Sequence, residues 1–412
     1  MTDSDVTATA DTAEPAETYR GWPVVHSDYR NDRPIFGHYA SLDAEREIAP
    51  FLWNVSTKHP FWMITRFEHV VEALRMPEVF SNDVINALQP KMAVRFLPQN
   101  LNGAEHTRMR RVLNRWFSPA AVRRMEPTIR SHCRALVEEV RPKGSCDFVA
   151  EFAIRFPTDM FLATLGLPLE DGPRFLRWVE QIFSSYSGGR AAIDASQQMK
   201  EYFAEKIEDR LRNPRDPEWD FLTRLLTAEP EGEKFSREDI LTICMTLVTA
   251  GLDTTRAALG YIFHHLATHE EHRRQLIDQP ELIPRAVEEL VRIYTLLIQD
   301  GRLVTQDIDF HGCPMKKGDV VWLGLAQANH DPRKFPNPMT YDLSRPNLNQ
   351  HLGFGAGPHR CLGMHLARHE LVVAIEEWHR VIPDYELATD EPLMERGGQL
   401  TLKSLPLRWA VQ

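Results

Sequence analysis

The chain has 412 residues, a formal net charge of −10 and five cysteines. The acidic balance argues against a nucleic-acid partner. Cysteines without regular spacing make no disulfide framework and suit a reducing cytoplasm, and no run of about eighteen apolar residues exists to span a bilayer. Residues 1–20, rich in Thr, Ala, Asp and Glu, carry neither a basic segment nor an apolar core. They read as a disordered tail with no signal or anchor. No Gly-, Ser- or Pro-rich linker divides 21–412, which is expected to be one domain with a radius of gyration of about 22 Å.

Phe61 to Thr65, aromatic and β-branched after Pro60, predicts a strand, and Phe67 to Leu74 a short amphipathic helix. Residues 81–104 form a long polar loop with scattered apolar side chains, among them Met92, Phe96 and Leu97. A loop of this length inside a domain is more often functional than structural. His106 to Arg111 opens a helix with a basic face, which is ordinarily just solvated. Apolar stripes predict helices over 148–165, 174–184, 191–212 and 219–226. Ser187-Gly188-Gly189-Arg190 separates the second from the third, as a hinge or a plain turn.

Ser236 and Asp239 resemble a capping box. From there to about His269 only Gly251 and Gly260 interrupt a helical pattern, so roughly 32 residues give a helix of about 48 Å that crosses the whole domain. Leu241 to Ala250, including Thr246 and Leu247, is almost wholly apolar. Inside it Ala250-Gly251-Leu252-Asp253-Thr254-Thr255 places weak helix formers mid-helix. The Thr254 hydroxyl can bond the Ala250 carbonyl and open the helix, and Gly251 leaves a groove there. Pro284 begins a helix reaching about Tyr294, with Glu289 and Arg292 spaced as an ordinary surface pair. Asp300 to Val321 is strand-rich, its turns at His311-Gly312 and Lys317-Gly318-Asp319 framing two hairpins.

The most informative stretch is Phe354-Gly355-Ala356-Gly357-Pro358-His359-Arg360-Cys361-Leu362-Gly363. Dense glycines permit positive φ and close backbone approach. Helical spacing follows from Leu362, so Cys361 is expected at a helix N-terminus beside Arg360, where a thiolate is favoured over a thiol. Cys133, Cys146, Cys244 and Cys313 read as small buried hydrophobes. No Gly-Lys-Ser/Thr follows the glycines and Arg360 stands where a dinucleotide fingerprint needs glycine, so phosphate and dinucleotide loops are excluded. A metal ligand and a nucleophile both stay open on these grounds.

All fixed positions of this stretch match the haem-binding loop of the cytochromes P450, and the chain resembles the soluble bacterial class of that family, including the terpene hydroxylases typified by camphor 5-monooxygenase. The resemblance implies a mainly α fold with small β-sheets, a single triangular haem-thiolate domain organised on a long central helix. It implies haem b (iron protoporphyrin IX) with Cys361 as its thiolate ligand, packed by Phe354, Gly355 and Gly363. His106, Arg110, Asp300, Arg302 and His359 would reach the propionates, and Ala250 and Gly251 would lie over the porphyrin. Asp253 and Thr254 would deliver the protons that oxygen activation needs. Glu289, Arg292 and Arg345, the last within Tyr341-Asp342-Leu343-Ser344-Arg345, would form a buried structural network. Ala328-Asn329-His330-Asp331-Pro332 matches a further family segment, with His where Arg is commoner.

Met92, Phe96, Leu97, Thr246, Leu247, Leu297 and Ile298 would line an apolar substrate site, with Asn86, Gln89, Arg95 and Gln99 as polar anchors. No tyrosine occurs between Phe80 and His106, unlike the camphor enzyme, so camphor itself is not expected. A terpenoid is favoured over a steroid, fatty acid or aromatic compound. The expected activity is a cytoplasmic, monomeric monooxygenase using O2 and electrons from a [2Fe–2S] ferredoxin and its NAD(P)H-dependent reductase. Arg108, Arg111, Arg115, Arg360 and Arg368 would form the docking patch. A peroxide-driven peroxygenase, a non-catalytic haem-binding protein and a cysteine hydrolase are the rival readings.

Overall fold

Ser236 starts the element on which the molecule is built. Its hydroxyl accepts from the Asp239 amide at 3.0 Å and the Asp239 carboxylate accepts from the Ser236 amide at 3.2 Å, closing the capping box. Such a cap is worth about 1 kcal/mol. The helix it opens, Arg237–Thr268, is 32 residues long. In the computed structural model, which describes residues 17–92, 95–184 and 190–411, this central helix joins two apolar cores. Ile240 to Leu252 pack with Phe175, Trp178 and Phe203, whereas Ala258 to Leu266 pack with Phe148, Phe152 and Trp378. Burial along both halves, rather than propensity, holds so long a helix together.

Around it lie Pro119–Val140, Arg155–Thr164, Gly172–Ser184, Arg190–Arg212, Ile283–Ile293 and Met364–Val381. A third apolar cluster, from Phe51 and Trp62 to Leu352, sits under a mixed seven-stranded sheet. There Phe61–Ile64 lies parallel to Val320–Leu323, which pairs antiparallel with Asp300–Val304. Two three-stranded sheets and one hairpin complete a mainly α fold with small β-sheets.

Three local expectations change. Of the two hairpins expected over 300–321, Ile308–Phe310 and Cys313–Met315 form one; the turn at Lys317–Asp319 instead returns the chain to Asp300–Val304. The helix expected over 148–165 is a π-helical turn, Val149–Ala153, followed by Arg155–Thr164. The last residues of the expected tail are ordered, because Thr18–Tyr19 pairs with Trp22–Val25 and Tyr19 stacks on Trp53 at 4.2 Å. Of the expected hinge, Ser187 to Gly189 lie outside the described residues and Arg190 begins a helix.

Candidate active site

The loop holding Cys361 is closed by its own backbone. Gly355 N–H donates to the Leu352 carbonyl and Cys361 N–H to the Phe354 carbonyl, both at 2.9 Å. Gly357 has φ +69°, and a Cβ there would stand 2.3 Å from the Leu74 carbonyl oxygen, so no other residue fits. Gly355 also has positive φ, yet its Cβ position and that of Gly363 meet no protein atom within 4 Å. The following helix starts at Met364 with Gly363 as its cap, three residues beyond Cys361. Cys361 thus lies just ahead of that helix, and the Gly363 amide and nearby arginines favour its thiolate. Burial pushes the Cys361 thiol up, against the Gly363 amide and the Arg110, Arg368 and Arg360 charges. Cys361 is nonetheless the one cysteine of the five with open surface. The two facts agree if that surface faces an enclosed cavity, where only a cation would hold the thiolate.

The Gly103–Trp116 helix and the Asp300–Val304 strand bring cations to this loop. Arg110 donates to the Arg360 carbonyl at 2.9 Å, and the His106 ring lies 4.0 Å from that of His359. Desolvation, then Arg110, lowers His106 to about 4. Desolvation, then His106, Arg302 and Arg110, lowers His359 to about 3. Both ring nitrogens of His359 are buried with no hydrogen-bond partner. Buried polar groups are normally satisfied; His38 is bare in the same way, but only His359 lies beside His106, Arg110 and Arg302, which suits it to a ligand. Asp300 Oδ1 is 2.7 Å from Arg302 Nη1, and it orients that almost fully buried guanidinium.

On the central helix Ala250 and Gly251 are exposed in the middle of an otherwise buried run. A Cβ on Gly251 would meet only Phe161, at 3.7 Å, so the helix faces open space there. Thr254 Oγ1 donates to the Ala250 carbonyl at 2.8 Å. Asp253 is buried, its Oδ2 accepting from Arg396 at 2.5 Å and Gln399 at 2.8 Å, with Arg256 at 3.4 Å from Oδ1. Arg396 and Gln399 were not foreseen: they lie more than 140 residues from Asp253, and no local pattern announces them. Glu370 was also missed. It is buried against Thr255, and burial raises its acid to about 8.

Thr246, one helical turn before Ala250, accepts from the Leu97 amide at 2.9 Å and thereby ties the 81–104 loop to the central helix. Phe96 and Leu97 are nearly buried there, while Met92 and Leu247 are partly open. Leu297 is 39% exposed and Ile298 0%. Successive residues of an extended chain point to opposite sides, so Ile298 packs into the core beside Trp322 and is withdrawn from the lining. Asn86 is withdrawn as a polar anchor. Its side-chain oxygen accepts from Gln299 at 2.9 Å and from the Leu88 amide at 3.0 Å.

Glu289, Arg292 and Arg345 come together without exposed side-chain surface beyond 5%. Arg292 holds Glu289 through two bonds of 2.8 Å, and Arg345 adds a third of 2.8 Å. Arg292 also reaches the Asn329 carbonyl at 3.0 Å, and Asn329 accepts from the Leu352 amide at 2.6 Å. The network therefore anchors the start of the Cys361 loop. His330 spans Asp43, at 3.1 Å, and the Ile293 carbonyl, at 2.7 Å. Of the expected docking arginines, Arg368 is bidentate on Glu288, at 2.5 and 2.7 Å, and Arg111 pairs with Glu231 at 3.0 Å. Among the described residues Arg115 and Arg360 make no ion pair.

An iron porphyrin fits this donor set. Leu362, beside Cys361, and Leu247, three residues before Ala250, border the same apolar cluster. The orphaned His359, with Arg110 and Arg302 around it, suits the two carboxylates of such a group. A family model described as cytochrome P450 matches residues 38–409. The methyl-branched lipid omega-hydroxylase of Mycobacterium tuberculosis is 35% identical over 364 residues, covering 85% of this chain and 84% of that protein. The probable cytochrome P450 127A1 of Sinorhizobium fredii is 34% identical over 354 residues, covering 85% and 83%. The crystal structure of CYP101J2 superposes with a TM-score of 0.86 at 29% identity, covering 96% of this chain and all of that one.

Proposed function

The chain belongs to the cytochrome P450 family of haem monooxygenases, and we propose from that footing that it inserts one oxygen atom of O2 into a C–H bond of a small apolar substrate, with Cys361 as the thiolate ligand of haem b. The haem, once bound, supplies the oxygen chemistry, and the thiolate favours O–O cleavage. His106, Arg110, Arg302 and His359 would hold its propionates, with Asp300 fixing Arg302. Phe354, Gly355 and Gly363 would pack against it beside Cys361, and Ala250 and Gly251 would leave room for it along the central helix.

Thr254 stores a hydroxyl proton on the Ala250 carbonyl, one turn from that space. Asp253 passes protons inward from Oδ2, giving up one of its bonds to Arg396 or Gln399 to do so. Met92, Phe96, Leu97, Leu247 and Leu297 exclude water and grip hydrocarbon. Thr246 positions Leu97 rather than substrate, since its hydroxyl is spent on the Leu97 amide and the Thr242 carbonyl. Electrons come from a [2Fe–2S] ferredoxin and its reductase, with Arg115 and Arg360 the docking cations left outside ion pairs.

The observation that carries this reading is the open Cys361 thiol beside a buried histidine with no partner. A terpenoid is the preferred substrate, given an apolar lining whose Asn86 and Thr246 are engaged by protein. A methyl-branched chain is the second reading, favoured by the name of the mycobacterial relative. Spectral titration of the haem protein with terpenoids, methyl-branched lipids, steroids and aromatics tests the choice. NADH-driven turnover with ferredoxin and reductase is expected; product formed only with hydrogen peroxide would make the enzyme a peroxygenase.

A further inference from the structure

Where the central helix ends, three histidines gather that the oxygen chemistry does not use. His265 lies in the last turn of Arg237–Thr268, His269 caps it, and His272 lies in the next helix, Glu270–Asp278. One side-chain nitrogen from each lies within 4.8 Å of the others. His265 Nε2 is 3.0 Å from His272 Nδ1. We propose that His265, His269 and His272 form a binding site for a divalent late first-row metal ion, with zinc the natural occupant, that clips the end of the central helix to the helix after it.

The chemistry of the surroundings supports this. Metal-bound imidazoles present their other nitrogen to an oxygen, which fixes the tautomer and raises basicity. His265 Nδ1 is 2.8 Å from the Tyr294 hydroxyl and His269 Nδ1 is 3.0 Å from the His265 carbonyl. His272 Nε2 is 3.9 Å from the Glu271 carboxylate, an ion-pair rather than a hydrogen-bond distance. Two of the three thus hydrogen-bond an oxygen on the side away from the shared space. Tetrahedral zinc with bonds of about 2.0–2.1 Å holds ligand nitrogens about 3.3 Å apart. The His265–His272 pair is near that spacing, whereas the His269 ring stacks on that of His265 at 4.3 Å and must tilt out of the stack to become the third ligand. Water would take the fourth position.

The test uses tag-free holoenzyme. Calorimetric titration with Zn2+ is expected to give one saturable site, and the His269→Ala/His272→Ala double variant at least a 100-fold weaker one. Cu2+ at one equivalent is expected to show hyperfine coupling to three nitrogens by electron paramagnetic resonance. The haem absorbance, which these residues do not touch, checks that the variants fold. Should the double variant lose haem, His269→Gln, at a partly exposed position, gives the same comparison with an expected loss of at least tenfold. Absence of a stoichiometric site in the parent protein, or equal affinity in the folded variants, overturns the proposal.

Discussion

Two buried polar regions meet at the Cys361 loop, and they follow opposite rules. Around Glu289, Arg292 and Arg345 the charges have partners within the protein, down to the Pro336, Asn337 and Thr340 carbonyls under Arg345. Around His359 the cations gather with too little to answer them: Asp300 meets Arg302, but both His359 nitrogens stay bare. The first region is finished by folding. The second is left for a ligand to finish. Between these two regions the answering of charges is the sharper difference, since burial is high in both and bare polar atoms, such as both His38 nitrogens, also occur elsewhere in the scaffold.

The largest expected effect strikes the unfinished region. Cys361→Ser removes the thiolate, and the long-wavelength absorption of the reduced carbon monoxide complex is expected to vanish. Persistence of that band would remove Cys361 as ligand and break the comparison. Next comes the finished region. Arg292→Ala leaves Glu289 buried with one cation instead of two, and breaking a buried ionic network costs about 3–5 kcal/mol. Insoluble or haem-free protein is expected, read by denaturant midpoint and haem content. A stable holoprotein would mean that the network is ornamental.

Arg302→Leu then sharpens the contrast, because it takes a cation from the side where anions are too few. Faster loss of haem to apomyoglobin is expected, with Asp300 left unpaired. If haem release is unchanged, the cations serve the fold and not a propionate.

How much of this was legible in the sequence depends on chain distance. The Ser236–Asp239 box, the Thr254–Ala250 bond and the Glu289–Arg292 pair all lie within four residues, and local pattern finds such contacts. The Cys361 loop is short enough to be read as one motif. Asp253 with Arg396 and Gln399 is not, since the central helix and the Met394–Arg396 strand are joined only by the tertiary fold. Asp300 was read together with Arg302 as a pair of propionate contacts, because composition does not say which charge answers which. Ile298 failed for a simpler reason: alternation along an extended segment admits one of two neighbours to a cavity, and sequence does not say which. For the Cys361 thiol, sequence named the nearby charges but not the burial that opposes them.

The smallest effect on the fold is expected from Thr254→Ala, and it probes the line between the two regions. The hydroxyl is satisfied, as in the ionic network, yet by the carbonyl of a residue that faces the open space. Its removal deletes one exposed-side hydrogen bond worth about 1 kcal/mol, and the Ala250 carbonyl keeps its place in the helix. Haem content and the carbon monoxide band should therefore match the parent protein. What changes is the proton stored beside the cavity. Electrons from NADH are expected to appear as hydrogen peroxide rather than hydroxylated product, by several-fold, measured as the ratio of product to NADH consumed. Unchanged coupling would place Thr254 with the scaffold: a bond that shapes the helix and carries no proton.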